Sequence, residues 1–305
     1  MMAKQFYSNG KLLLTGEYAV LDGALSLALP THYGQSLHVK EIEDPKLLWK
    51  SQDDKGATWF EMGMDIPSWS VYYELSERKS VKDTLIKILS VAKALNPKFL
   101  QGAKGYQVET KLDFPKDWGL GSSSTLINNI AQWAQIDPFQ LLWETFSGSG
   151  YDIACAQSDH PILYQLKNQN PHVQKVDFNP PFQEHLFFVY RNRKQDSREG
   201  IAQYRKTTIE TSDFVHRVTG ITQRVSTSKS LSEFNALITE HENLLATILK
   251  LVPVKESLFP DFNGAIKSLG AWGGDFILAS GKEDIISYFK EKGYDTIIPY
   301  SEMVL

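Results

Sequence analysis

The segment that most narrows the fold of this chain is Pro115-Lys116-Asp117-Trp118-Gly119-Leu120-Gly121-Ser122-Ser123-Ser124-Thr125. Ahead of it, Tyr106-Gln107-Val108-Glu109-Thr110 alternates like a strand, and behind it Ser123 to about Gln135 reads as a helix. Glycines this close together let a backbone adopt positive φ and approach a ligand. The serine run offers hydroxyls and predicts a helix N-cap. Strand, tight loop and helix in that order leave free N–H groups and the positive end of a helix dipole at one spot. That is an anion site, and phosphate is its natural occupant. It is not a Walker loop, because no GxxxxGK[ST] occurs. It is not the dinucleotide fingerprint either, because the third glycine is missing and no suitable acidic residue follows a second strand.

The rest of the chain mixes strands and helices without a regular βαβ beat, which predicts an α+β fold rather than a doubly wound sheet. The first 65 residues are β-rich, with strands expected at Lys11–Thr15, Ser36–Val39 and Thr58–Met62. Residues 79–95 carry Val81, Leu85, Ile88, Leu89, Ala92 and Leu95 at helical spacing. A short apolar strand is expected at Pro161–Leu166. From Lys167 to Pro181 the chain turns polar and rich in Asn and Pro, which predicts a domain boundary, with domains at 1–175 and 176–305. His185–Tyr190 reads as a buried strand. Helices are expected over 198–227, 230–250 and 255–268. The remainder reads as strand Asp275–Ala279, helix 282–291 and strand Tyr294–Ile298.

A length of 305 residues suits two domains of about 150 residues or one fused unit. The formal net charge of −4 creates no field favouring nucleic acid or an anionic membrane, so neither is expected as a partner. An anionic ligand must be held by local groups. Cys155 is the single cysteine, which excludes an intrachain disulfide and fits a reducing cytoplasm; a buried apolar thiol is expected. The first residues lack the apolar core of a signal peptide, and no run approaches the roughly 20 apolar residues of a membrane span. The seven histidines are scattered without HExxH or other ligand spacing, so a structural zinc site is not expected.

The whole loop at 115–125 resembles the phosphate loop, P-x-x-x-G-L-G-S-S-S, of the galactokinase–homoserine kinase–mevalonate kinase–phosphomevalonate kinase (GHMP) superfamily. Gly10-Lys11-Leu12-Leu13-Leu14-Thr15-Gly16-Glu17-Tyr18-Ala19-Val20 resembles that family's first motif, with a Gly-Glu-Tyr-Ala-Val core most similar to phosphomevalonate kinases. Lys267-Ser268-Leu269-Gly270-Ala271-Trp272-Gly273-Gly274-Asp275 resembles the third, K-x-x-G-A-G-G-G, with Trp272 standing where the family has glycine. Gly150-Tyr151-Asp152-Ile153-Ala154 is similar to the G-x-D segment of mevalonate and phosphomevalonate kinases, and to a bacterial branch named for those five residues. Three motifs in the expected order run from residue 10 to 276, nearly the whole chain.

The resemblance implies two lobes: an N-terminal mixed α/β lobe carrying the loop and a ferredoxin-like C-terminal lobe, with the active site between them. It implies ATP and Mg²⁺ as cofactors. Gly119, Leu120, Gly121, Ser122, Ser123, Ser124 and Thr125 would bind ATP. Asp152 would be the general base or electrostatic partner for an acceptor hydroxyl. Lys11 would orient that oxygen, with Asp152 as its anionic partner. Ser123 and Glu144 would ligate magnesium. Glu17, Tyr18, Gly273 and Gly274 would face the substrate. So would Lys194 and Ser197, in the run Arg191-Asn192-Arg193-Lys194-Gln195-Asp196-Ser197-Arg198, whose four basic side chains suit phosphate or carboxylate. The implied activity is phosphorylation of a small acidic or alcohol substrate, phosphomevalonate first and mevalonate second, by a monomer or homodimer. Homoserine or a sugar stays open as acceptor, and so does a GHMP-fold protein that binds without catalysis.

Overall fold

The computed structural model describes residues 3–66, 80–193, 197–207, 211–270, 274–282 and 284–305. Two compact units emerge, each drawn from several stretches of chain. The first comprises Met1–Gly10, Tyr33–Lys116 and Gly121–Gln157, the second Lys11–His32, Asp117–Leu120 and Ser158–Leu305. Strands β1 (Ala3–Thr15) and β2 (Ser26–Ile42), which pair with each other, contribute residues to both units.

In the first unit, β3 (Lys46–Gln52) pairs antiparallel with β4 (Thr58–Asp65) and parallel with β5 (Gly105–Leu112). Residues 35–42 of β2 pair antiparallel with β5. Helix α1 (Val81–Leu95) starts where its sequence says it should. Ser80 Oγ accepts from Asp83 N at 3.2 Å, and Asp83 accepts from Ser80 N at 3.0 Å, a reciprocal capping box. Its Leu85, Ile88, Leu89 and Ala92, spaced i, i+3, i+4, i+7, bury one stripe against Leu37, Trp49 and Val108 of the sheet and Ile127 and Ile130 of helix α2 (Ser122–Ala134). Each of the buried leucine and isoleucine side chains in this stripe contributes about 1.5–3 kcal/mol. Helices α3 (Pro138–Thr145) and α4 (Tyr151–Ala156) complete this unit and pack on α2.

In the second unit, residues 26–28 of β2 pair with β6 (Ile162–Lys167), which pairs with β7 (Asn170–Lys175). The β6–β7 turn is Asn168 and Gln169, at φ 49° and 61°, the double positive φ of a two-residue hairpin whose twist matches its strands. Then follow β8 (Leu186–Tyr190), α5 (Ser197–Arg205), α6 (Thr211–Thr227), α7 (Leu231–Leu249), α8 (Val254–Leu258), β9 (Ala265–Ser268), β10 (Phe276–Ser280), α9 (Ile285–Glu291), β11 (Ile297–Pro299) and α10 (Tyr300–Met303). These strands form an antiparallel sheet in the order β11-β8-β10-β9. Strand, helices, two strands, helix, strand in that order is ferredoxin-like topology, as expected.

Three expectations about elements change. The helix expected over 255–268 ends at Leu258, two residues before Pro260, which cannot continue it; residues 265–268 pair with β10 instead. The stretch 167–181 is not all loop, because 170–175 forms β7, a mostly exposed strand without an apolar alternation to reveal it. Two helices, α5 and α6, occupy the span 198–227 where one was expected.

Candidate active site

The glycine loop opens α2 through Gly121, whose φ of 94° and ψ of 40° lie in the left-handed region that glycine enters without steric cost. Gly121, not a serine, is therefore the N-cap, and no side chain caps this helix end. The first-turn N–H groups are left to solvent or a ligand. Ser123 is exposed at this tip. Ser124 is turned back, its hydroxyl donating to Gly121 O at 2.9 Å. Thr125 is fully buried and donates to Gln35 Oε1 at 2.7 Å, so its hydroxyl holds the helix start in place. Leu120 is also buried, anchoring the loop by its side chain.

Lys11, near the end of β1, clasps the same loop twice. Its backbone N–H donates to Leu120 O and its ammonium to Gly119 O, both at 2.9 Å. Gly119 has φ +66°, and a Cβ there would sit 2.0 Å from Asp275 Oδ2. A Cβ on Gly270, at φ +77°, would lie 3.2 Å from the same oxygen. The two glycine motifs thus meet at the buried Asp275 carboxyl group: Gly119 leaves the space that carboxyl occupies, whereas at Gly270 it is the positive φ that favours glycine. Asp275 is set by the sheet: its carbonyl accepts from Arg191 N at 2.9 Å as β10 pairs with β8. Trp118 of the loop packs edge-on against Phe276 at 5.5 Å. Burial, then the charges of Asp117 and Asp275, raise the Tyr190 phenol above its ordinary pKa. Gly274 is buried beside Asp275, whereas Ala271, Trp272 and Gly273 lie outside the described residues.

Asp152 is the second residue of α4, which begins at Gly150 in a left-handed conformation at φ 86°. Burying Ile153, Ala154 and Cys155 anchors this short helix and leaves the half-buried Asp152 on its first turn. Helix α4 packs on α2, and Gln157 Nε2 donates to Asn128 Oδ1 at 3.1 Å to link the two. Lys11 belongs to the second unit and Asp152 to the first. Glu144, on α3, is exposed and accepts from Gln140 Nε2 at 3.0 Å. Of the expected substrate contacts, Lys194 lies outside the described residues; Ser197 opens α5, its side chain likewise outside them.

Glu17 is only 2 % exposed and joined to a buried network. Its Oε1 accepts from Lys267 Nζ, which also donates to Glu242 Oε1 at 3.0 Å and to Ser268 O at 2.5 Å. Ser268 Oγ donates to Glu242 Oε2 at 2.8 Å. His241, fully buried, accepts from Gly16 N–H through Nε2 at 3.0 Å, which requires the tautomer carrying its proton on Nδ1. Burial pushes Glu17 up to about 7 despite the opposing pull of Lys267. Burial and the Lys267 charge hold His241 well below the usual histidine range, so it is neutral. Burial disfavours the Lys267 ammonium, but Glu17 and Glu242 outweigh it and its pKa rises. The first and third motifs are thereby joined through a salt bridge spanning 250 positions. Sequence reading missed this role of Lys267, although a lysine within the apolar strand Ala-Ile-Lys-Ser was the available signal.

No protein-family model matches this sequence, and no curated protein does either. Solved structures do match. Mevalonate kinase from Methanococcus jannaschii superposes with a TM-score of 0.72 at 16 % identity, covering 97 % of both chains. Phosphomevalonate kinase from Streptococcus pneumoniae gives 0.69 at 16 % identity, covering 96 % of each. A D-glycero-D-manno-heptose 1-phosphate kinase from Bacteriodes thetaiotaomicron gives 0.68 at 15 %, covering 98 % of this chain and 95 % of that one. The chain has the GHMP kinase fold.

On the GHMP fold found here, the two glycine motifs and the first motif are tied by Lys11, Asp275 and Lys267. Among the described residues no group of three or more His, Cys, Asp or Glu side chains could hold a metal ion. Ser123 and Glu144 are both exposed; magnesium usually takes one or two protein oxygens and keeps several waters. No described helix is long and apolar enough to cross a membrane.

Proposed function

We propose that this chain is an ATP-dependent kinase for a small anionic alcohol, phosphomevalonate before mevalonate. The observation carrying this reading is the uncapped left-handed opening of α2 at Gly121, clasped through Gly119 by the Lys11 ammonium. Such a helix tip attracts nucleotide phosphates with N–H groups already oriented, so charge developing in phosphoryl transfer meets dipoles that need no rearrangement. Gly119, Leu120, Gly121, Ser122 and Ser123 line the phosphates, while Ser124 and Thr125 brace the helix start. With mevalonate, Asp152 takes the proton of the acceptor hydroxyl as its oxygen bonds to the γ-phosphorus and the bond to ADP breaks; with phosphomevalonate an oxygen of the acceptor phosphate attacks instead, a diphosphate forms, and Asp152 orients the acceptor. Lys11 has three N–H donors, and one goes to Gly119 O; the acceptor oxygen is the proposed target of another. Magnesium, when bound, neutralises β- and γ-phosphate charge, and Ser123 and Glu144 are the residues proposed to hold it.

The neighbours support this reading by analogy. The Streptococcus pneumoniae enzyme was solved with phosphomevalonate and AMPPNP, an ATP analogue. An anionic acceptor is favoured by the cations after β8. Arg191 is buried, and desolvation, with Arg193 nearby, pushes its pKa down to about 10, still fully charged at neutral pH. Lys194 and Ser197 of that run, together with Tyr18, Gly273 and Gly274, are the residues proposed to contact the acceptor; Glu17, 2 % exposed and bound to Lys267, is withdrawn from that set.

The test is ADP release with mevalonate, phosphomevalonate, homoserine and galactose in turn. Asp152→Asn is expected to lower kcat on the accepted substrate by roughly 10²–10⁴-fold while leaving the Kd for an ATP analogue unchanged. Wild-type turnover in that variant removes Asp152 from the chemistry. ADP release with none of the four acceptors overturns the assignment.

A further inference from the structure

Helix α5 contains Gly200, although glycine within a helix costs stability relative to alanine. Gly220, inside α6, has no steric reason to be glycine: a Cβ there would meet nothing within 4 Å. Gly200 differs. A Cβ on it would lie 2.3 Å from the Tyr18 hydroxyl oxygen and 3.1 Å from Tyr18 Cζ. The missing side chain is the space the Tyr18 hydroxyl occupies.

Tyr18 is itself held at a cost. It sits at φ 61°, ahead of the helical turn Ala19–Asp22, in a region that bulky residues enter rarely. Its ring is buried and stacks on Tyr204 with centroids 5.6 Å apart and planes at 26°. Tyr204 donates to Asp22 Oδ2 at 2.5 Å, and Arg205 donates to the other oxygen of the same carboxylate at 2.7 Å. Burial and the Asp22 carboxylate raise the Tyr204 pKa, so the phenol remains a donor throughout the neutral range. Gly200 and Tyr204 are i and i+4 on one helix, hence on one face, and both touch Tyr18. A strained backbone, a helical glycine and a half-buried phenol–carboxylate bond all serve one end, the position of a single aromatic hydroxyl.

We propose that Gly200, Tyr204 and Asp22 are positioning residues that seat Tyr18 for the acceptor and register α5, whose first residues end the basic run at 191–198, against the Gly-Glu-Tyr turn. The proposal rests on the kinase reading for what Tyr18 faces. The cradle itself is independent of that reading and is tested separately.

The experiment compares Gly200→Ala, Tyr18→Phe, the double variant, Tyr204→Phe and the control Gly220→Ala by thermal melting and by steady-state kinetics with phosphomevalonate and ATP. Gly220→Ala should raise Tm by roughly 2 °C through helix propensity alone. Gly200→Ala should lower Tm in the wild-type background and lower it by less when added to Tyr18→Phe, where the 2.3 Å contact is gone and only the 3.1 Å contact with Cζ remains. Gly200→Ala and Tyr204→Phe should each raise KM for phosphomevalonate about tenfold while KM for ATP stays within about twofold. A rise in Tm for Gly200→Ala in both backgrounds overturns the cradle. Equal shifts in both KM values overturn its role in acceptor binding. If the wild type releases no ADP with any acceptor, the kinase reading fails, and the size of the Gly200→Ala shift in the two backgrounds still decides the cradle.

Discussion

Replacing Lys267 by methionine removes the one ammonium that Glu17 and Glu242 share, and does so where water cannot substitute. The Lys267 side chain is 0 % exposed, Glu17 2 % and Glu242 4 %. Leaving buried carboxylates without their cation costs about 3–5 kcal/mol. At about 2 °C per kcal/mol for a domain of this size, Tm at pH 8 should fall by about 6–10 °C. The loss should depend on pH in a definite direction. Burial already lifts Glu17 to about 7 with Lys267 present. Without the lysine Glu17 protonates more readily still, so near pH 5 it is neutral and the penalty shrinks. Circular dichroism melts of wild type and Lys267→Met from pH 5 to pH 8 would trace a gap that widens as pH rises. A gap under about 2 °C at pH 8, or one that does not change with pH, would refute the buried ion network. The triple variant Glu17→Gln/Glu242→Gln/Lys267→Met should recover much of the loss, because no buried charge is then left unpaired.

Glu17→Gln should tilt the pH dependence of stability. The raised folded-state pKa of Glu17 stabilises at low pH, and that contribution is lost as pH climbs toward about 7. The depressed pKa of His241 does the reverse, stabilising above its ordinary value of 6.5 and weakening as pH falls below it. With Glu17 removed only the histidine slope remains, and denaturant unfolding should show stability rising between pH 5 and 6.5 by up to about 1.4 kcal/mol per unit; a slope unchanged from wild type rules this out. Gly119→Ala should cut turnover and weaken ATP-analogue binding together, since the added Cβ meets Asp275 Oδ2 at 2.0 Å and the residue sits at φ +66°; calorimetric titration with unchanged Kd would contradict that geometry.

Local chemistry made much of this protein legible in one dimension. The i, i+3, i+4, i+7 stripe of α1 and the paired glycines before α2 each act within a few residues, so spacing alone reveals them. Most strands with an apolar face were legible for the same reason. Other features depend on partners far along the chain. Residues 265–268 became a strand because β10 offers a ladder, although their apolar spacing suits a helix equally. Asp152 was legible as a first-turn carboxylate, yet its helix owes its place to packing on α2. Gly119 reads as a positive-φ glycine beside a ligand, but the carboxyl group that its missing side chain makes room for comes from Asp275. Glu17 looked like a residue facing substrate, and only folding brought Lys267 to it across 250 positions. Periodicity records which backbone a segment prefers, whereas the pairing of buried charges is settled by which distant segments exclude water together.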